Sequence, residues 1–331
     1  MKILVIGCGS IGRRHIRLLK EMGVRVEGVD TSREAGWRVS DEFGVMTYTE
    51  LHHALEHCYD EQGELSRWDG AIIATPNHLH YETAQEVIVN AGIPVLIEKP
   101  LAHTLVDAEA LTNHADTEGV PMLIGYTLRF HPGLRKLKKL LDEGTLGTVR
   151  HATIRCSSYL PSWRPGTDYH QNYAASQAQG GGVLLDCSHE IDYACWLLGE
   201  PESVSCTTLN TGALGIETEE LADLVIRFKS GVQANLHLSY LDTWASRGCR
   251  IVGDRATAVW DVGTDFVWLQ PCTAQTNPVA PDDLYRAELA HFLKVVRGEE
   301  QPAVTGQDGV IVLRLVEAAK RSALEGRVVN V

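Results

Sequence analysis

The first 125 residues alternate short apolar runs with amphipathic stretches of helical period, and this pattern limits the fold more than any other feature of the chain. Runs at 3–6, 25–29, 71–74, 95–97 and 122–124 read as buried strands. Between them, 12–22, 32–43, 51–57, 78–90 and 105–118 read as helices, the last capped by Thr104 with Asp107 in its first turn. The polar stretch 59–69 reads as a loop insertion ahead of the strand at 71–74. Strand and helix in strict alternation specify a doubly wound parallel sheet of Rossmann type.

The second half changes character. A helix at 134–142 precedes a long strand at 149–157, a loop rich in proline, glycine and aromatics, and one continuous helix at 183–198. Strands at 203–209, 222–228, 232–238, 250–252, 258–262 and 266–269 follow, punctuated by Gly231, Gly253-Asp254 and Gly263, and helices at 283–296 and 308–324 close the chain. The reading is an α/β chain of two domains. Residues 1–124 form a nucleotide-binding domain, and 125–331 form a substrate and oligomerisation domain with an open, mainly antiparallel sheet.

Composition excludes several classes. A formal charge of −13 without a basic block of sequence argues against a nucleic-acid partner that is tracked by its phosphates. No apolar run approaches the ~18 residues a membrane span needs. The apolar start, residues 1–6, is broken by Gly7 and Gly9 and followed by Arg13, Arg14 and His15, so it reads as a strand and not as a leader. Eight cysteines show neither a C-x-x-C pair nor zinc spacing; reduced thiols, no metal site and a cytoplasmic location are expected.

Gly7-Cys8-Gly9-Ser10-Ile11-Gly12 is a G-x-G-x-x-G that directly follows the first strand and opens a helix. In that context Gly7 makes the turn, Gly9 lets a pyrophosphate approach, and Gly12 permits close helix–strand packing. The N–H groups of Ser10, Ile11 and Gly12 start a helix whose positive end suits phosphates. Asp30 ends the second strand, where a carboxylate accepts from a ribose 2′-OH and repels a 2′-phosphate, favouring NAD over NADP. Arg33 is the counter-signal, since a guanidinium could hold a 2′-phosphate.

Three further segments carry chemistry. Thr75, Asn77 and His80 follow the strand at 71–74, on the edge where open α/β sheets bind ligands, although Asn77 could instead cap the next helix and His78 stay exposed. Glu98-Lys99-Pro100 follows the strand at 95–97; a cationic oxidised nicotinamide beside Lys99 would favour its neutral form and suit proton transfer, the alternative being a surface ion pair with Glu98. Pro100 is a candidate for a cis peptide. Three glycines at 180–182 lead to Asp186 and His189, which would share one helix face if both were helical, letting the carboxylate orient the imidazole. The alternative is a helix-start Asp and a core His.

Taken in order, these motifs, together with residues 125–132 around Tyr126 and Arg129, resemble the Gfo/Idh/MocA family (glucose-fructose oxidoreductase and inositol dehydrogenase). The resemblance implies reversible hydride transfer between NAD(P) and a hydroxyl carbon of a sugar, cyclitol or sugar nucleotide, in a homodimer or homotetramer. It implies that Lys99 is the active-site lysine, His189 the acid/base, Asp186 its carboxylate partner, Glu98 a cofactor neighbour, and Tyr126 and Arg129 sugar-positioning groups. Family members commonly place the aspartate four residues before the histidine; here the gap is three, which leaves substrate contact by Asp186 open. Residues 158–170 resemble a branch linked to surface-polysaccharide and nonulosonic-acid sugars. There Trp163 and Tyr169 offer flat faces to a sugar and Arg164 a fork for a carboxylate or phosphate, unless the segment is a lid that merely packs. Two other outcomes are compatible with the resemblance: a bound NAD that oxidises transiently and takes its hydride back, giving epimerisation, elimination or glycoside cleavage, and a nucleotide-responsive binding protein. Both Lys99 and His189 are present, which favours catalysis.

Overall fold

Strands β1 (Lys2–Ile6), β4 (Gly70–Ile73), β5 (Val95–Glu98) and β6 (Met122–Gly125) are buried along their whole length. Uninterrupted apolar runs of this kind belong to parallel sheets covered on both faces. With β2 (Arg25–Val29) and the two-residue β3 (Thr47–Tyr48) they form a parallel sheet in the order β3-β2-β1-β4-β5-β6. The order reverses between β1 and β4, and ligands bind at the carboxyl ends of the strands flanking such a point. Helices α1 (Ser10–Glu21), α2 (Arg33–Phe43), α3 (Leu51–Glu56), α4 (His80–Ala91) and α5 (Leu105–Glu118) make the crossovers. Thr104 caps α5 through the Asp107 N–H, as the sequence predicts.

The computed structural model describes residues 1–58, 63–164, 166–263, 267–270 and 279–331. Cys272, Pro165, the start of the 59–69 loop and Phe266 at the head of the last expected strand lie outside these residues. The other seven cysteines are free thiols. Among the described residues no helix is long and apolar enough to cross a membrane.

The chain forms two units. One is Met1–Tyr126 with Tyr285–Val310; the other is Thr127–Leu284 with Ile311–Val331. Sequence places a single boundary after residue 124, whereas the packing returns Tyr285–Val310 to the first unit. The reason is apolar burial. Phe292 and Val296 of α9 (Pro281–Val296) fill the space over Gly70, and the Val304 carbonyl accepts the Ile124 N–H at 3.0 Å.

In the second unit, α6 (Pro132–Asp142) leads into β7 (Val149–Tyr159). Strands β8 (Pro201–Leu209), β9 (Leu221–Phe228), β10 (Gln233–Ser239), β11 (Leu241–Gly253), β12 (Thr257–Asp261), β13 (Val267–Gln270) and β14 (Val329–Asn330) complete an eight-stranded sheet. Its order is β13-β12-β11-β7-β10-β9-β8-β14, antiparallel except for the central β7–β10 pair. Burial alternates along β9, as expected of a sheet with one covered face. The helix expected at 183–198 is in fact two, α7 (Val183–Asp186) and α8 (Ser188–Leu198), separated at Cys187. The last helix is α10 (Gly306–Glu325).

One buried acid in the first unit bears on stability. Glu288 of α9 is fully buried, and neither carboxylate oxygen has a hydrogen-bond partner among the described residues. Burial, and then the charge of Glu98, push its pKa well above the usual carboxylate value. An unfolded glutamate titrates near ~4.3. The folded chain therefore binds more protons than the unfolded chain as pH rises from that value, and stability falls until Glu288 itself ionises. Glu288→Met, which fills similar space without a charge, should raise the melting temperature at mildly alkaline pH and leave it nearly unchanged in acid. A scan of thermal unfolding against pH for both proteins checks this.

Candidate functional site

In the first unit the expected cofactor residues gather on the carboxyl edge of the parallel sheet. Gly7 turns the chain at φ +94°, and a Cβ there would lie 2.5 Å from the Ala74 carbonyl oxygen. A Cβ on Gly12 would strike the Gly7 carbonyl, whereas one on Gly9 would meet nothing within 4 Å. Two glycines are therefore packed tightly and the middle one is open, which is the division of labour a dinucleotide cradle needs. Helix α1 follows Gly9, which offers no side-chain cap, so its first N–H groups remain available to an anion. Gly9 and Ser10 are exposed and Ile11 partly so. Cys8 is buried within the turn; burial and the charge of Asp30 push its thiol up to about 12, so it stays neutral.

The Asp30 carboxylate is fixed at both oxygens. It accepts the Cys8 N–H at 2.8 Å and the Ser32 N–H at 2.8 Å, the latter at the start of α2. It remains partly exposed, with acceptor capacity left for a ribose hydroxyl. Arg33 is exposed. These residues fit NAD. Asp30→Ser removes the fixed charge, and the kcat/KM preference for NAD over NADP should fall by roughly 10–10²-fold. Paired initial-rate measurements with the two cofactors test it.

Thr75 and Asn77 lie partly exposed beyond β4. Asn77 opens a short 3-10 turn; α4 starts after Leu79 without a side-chain cap, so the capping alternative does not hold. His80 is fully buried, with Nδ1 at 2.8 Å from the Pro100 carbonyl and Nε2 at 3.0 Å from the Thr75 carbonyl. Its ring therefore holds backbone, where sequence expected it to face the cofactor. Glu98, expected beside the cofactor, is likewise buried and takes the Nε2 of His15 at 2.7 Å, so the alternative of a Glu98–Lys99 surface pair is not how that carboxylate is used. Lys99 is partly exposed at the end of β5, and its bond to Pro100 is cis. Tyr126 is fully buried.

The second unit holds the other candidates. Gly181 and Gly182 pack against the Tyr173 carbonyl and the Glu219 carboxylate, and Glu219 accepts the Leu184 N–H at 3.1 Å to cap α7. Asp186 ends α7, while His189 lies in the first turn of α8, so the two do not share one helical face. The Asp186 carboxylate accepts from the phenols of Tyr173 and Tyr240, the latter at 2.7 Å. Burial, and then the charge of Asp186, raise both phenols well above their ordinary value, so they remain donors. His189 is partly exposed.

Trp163 meets the Tyr240 ring edge-on at 5.4 Å and donates to Ser158 Oγ at 2.8 Å. The structure thus brings one expected sugar-stacking residue into the Asp186 cluster. Arg164 is exposed, and its charge acts on Tyr173. Tyr169 donates to the Leu214 carbonyl at 3.1 Å and stacks on His170. Arg129 has a different occupation from the one expected: it is buried and forked onto Asp192, with Nε at 2.9 Å and Nη2 at 2.6 Å. Glu190, two residues earlier and fully buried, takes Arg247 of β11 at 2.7 and 2.9 Å. Sequence reasoning missed Tyr173, Tyr240, Glu219 and Arg247. They lie far along the chain from their partners, and no local spacing announces them.

Residues 1–126 match the model of an oxidoreductase family with an NAD-binding Rossmann fold, and residues 134–259 match the Gfo/Idh/MocA C-terminal domain. The chain is 30% identical over 273 residues to a 1,5-anhydro-D-fructose reductase of Ensifer adhaerens, covering 80% of each chain. It is 27% identical to a myo-inositol 2-dehydrogenase of Thermotoga maritima, over 100% of this chain and 98% of that one. Among solved structures it resembles the WlbA dehydrogenase of Bordetella pertussis, in complex with NADH and UDP-GlcNAcA. The TM-score is 0.82 and the identity 25%, over 100% of this chain and 98% of that one. With a dinucleotide cradle in one unit, the second-domain match in the other and a relative of this identity and coverage, the chain belongs to the Gfo/Idh/MocA family of NAD-binding oxidoreductases.

Proposed function

We propose that this protein is a dehydrogenase that oxidises or reduces a CH–OH carbon of a sugar, cyclitol or sugar nucleotide with NAD, with Lys99 and His189 as its proton-transfer groups. The observation that carries the reading is the cradle itself: an open Gly9, an uncapped helix start and a twice-anchored Asp30, with Lys99 leaving the neighbouring sheet edge. Relatives named for anhydrofructose, inositol and a UDP-linked sugar acid support the substrate class. When bound, NAD supplies the acceptor for the hydride that leaves the carbinol carbon. The chain's own task is the proton. Lys99, at the end of β5, is the group proposed to take up the proton leaving the hydroxyl. His189 offers the second acid/base group. Asp186 accepts from two phenolic donors just before the start of α8. Trp163, Arg164 and Tyr169 are the proposed contacts for the body of the sugar.

Mass spectrometry of the cofactor carried by the purified protein, followed by a panel of sugars, cyclitols and sugar nucleotides monitored at the NADH absorbance, tests the proposal. Turnover on at least one of them is expected. Tight NAD binding with no turnover on any of the three classes would overturn it.

A further inference from the structure

Lys99 leaves β5 between two residues that are each held by a buried imidazole. On one side the Glu98 carboxylate lies 2.7 Å from His15 Nε2, and on the other the Pro100 carbonyl lies 2.8 Å from His80 Nδ1. Both histidines are fully buried. His15 belongs to α1, the helix opened by the glycine turn; His80 opens α4, directly after the Thr75–Asn77 segment.

The protonation states follow from the surroundings. Nδ1 of His15 has no hydrogen-bond partner among the described residues, so Nε2 carries the N–H that Glu98 accepts. Around that pair stand Tyr285, edge-on to His15 at 5.6 Å, with Arg14 over its ring, and Glu288, whose pKa is raised by burial and the charge of Glu98. His80 faces two carbonyl acceptors, which favour a second proton, but burial opposes this and prevails, lowering its pKa; Glu98 and His78 act on it weakly. A neutral ring has a single N–H, and the shorter contact, to Pro100, takes it.

We propose that His15 and His80 are the positioning residues of Lys99, each fixing one of its chain neighbours so that the ammonium projects from a defined point on the sheet edge. Neither touches substrate. A flexible side chain transfers a proton efficiently only from a fixed root, and a misplacement of about 1 Å can cost about 10²-fold in rate. The two anchors also tie that root to the two helices that begin at the cofactor-facing turns. The inference rests on the acid/base reading of Lys99.

The test uses the regiochemistry of amides. Asparagine places an N–H at about the reach of histidine Nδ1, and glutamine at about the reach of Nε2. His15→Gln and His80→Asn keep the donor where it stands; His15→Asn and His80→Gln misplace it at nearly unchanged volume. Two quantities are read: kcat and KM for substrate and NAD, and the pH dependence of Lys99 acetylation by acetic anhydride, followed by peptide mass spectrometry with exposed Lys139 as internal reference. The donor-keeping variants should stay within about threefold of the parent in both. The donor-misplacing variants should lose about 10–10²-fold in kcat with KM for NAD little changed, and should shift Lys99 labelling by about half a pH unit or more. Equal behaviour within each pair, or Lys99 labelling that does not move in the misplacing variants, would overturn the inference. If labelling follows the donor while Lys99→Ala keeps full turnover, the anchoring holds and the catalytic reading of Lys99 fails.

Discussion

Lys99→Ala is expected to lose roughly 10²–10⁴ in kcat, the usual worth of a positioned proton-transfer group. The loss should appear in kcat and in kcat/KM alike, because the interaction removed is made in the transition state and not with bound substrate. The Asp30 anchor and the open Gly9 are untouched by the substitution, so NAD affinity, followed by fluorescence titration, should stay near that of the parent. A rise in KM at constant kcat would instead make Lys99 a simple binding group. His189→Ala should fall in the same range, and the double variant should lose far less than the product of the two, as expected of groups acting in one step. Near-normal turnover in Lys99→Ala with NAD bound removes the residue from the chemistry.

The second large effect concerns stability. Removing one partner of the Arg129–Asp192 fork should cost about 3–5 kcal/mol, because the survivor is a buried charge with its counter-charge gone. Asp192→Ala should therefore lower the urea midpoint steeply. Arg129→Met with Asp192→Leu exchanges the pair for apolar volume and should recover most of the loss. The same double variant decides what Arg129 is for. If the guanidinium is only a strut for α8, KM for the sugar stays near the parental value once the fold is restored. A large rise in KM in a protein of restored stability would return Arg129 to the substrate.

How far the sequence could be read depended on where each element buries its side chains. Strands β1, β4, β5 and β6 were legible to within a residue or so, because strands covered on both faces leave apolar runs that nothing else explains. The edge strands β3 and β14 have two residues each and leave no such run. The break at Cys187 was hidden because 183–198 keeps a helical pattern across it. The glycine turn was legible because its three glycines do three different steric jobs at adjacent positions. Glu98 and His80 were misdirected by adjacency. Each neighbours a residue of the cofactor edge, yet each turns its polar atoms inward, Glu98 to another element and His80 to flanking backbone. Asp186 was paired with His189 by spacing and by the family resemblance, and its two phenolic partners come from separate segments.

The lone parallel pairing at the centre of the second sheet has a kinetic consequence. His151 of β7 lies beside Gln233 of β10, and parallel neighbours require a crossover between them. Here the crossover contains Trp163, Tyr173, Asp186, His189, β8 and β9. The middle of the sheet therefore closes only after that whole stretch has collapsed, and a pairing so distant along the chain is slow to form. Refolding of this unit and the appearance of His189 in native surroundings should follow one and the same rate.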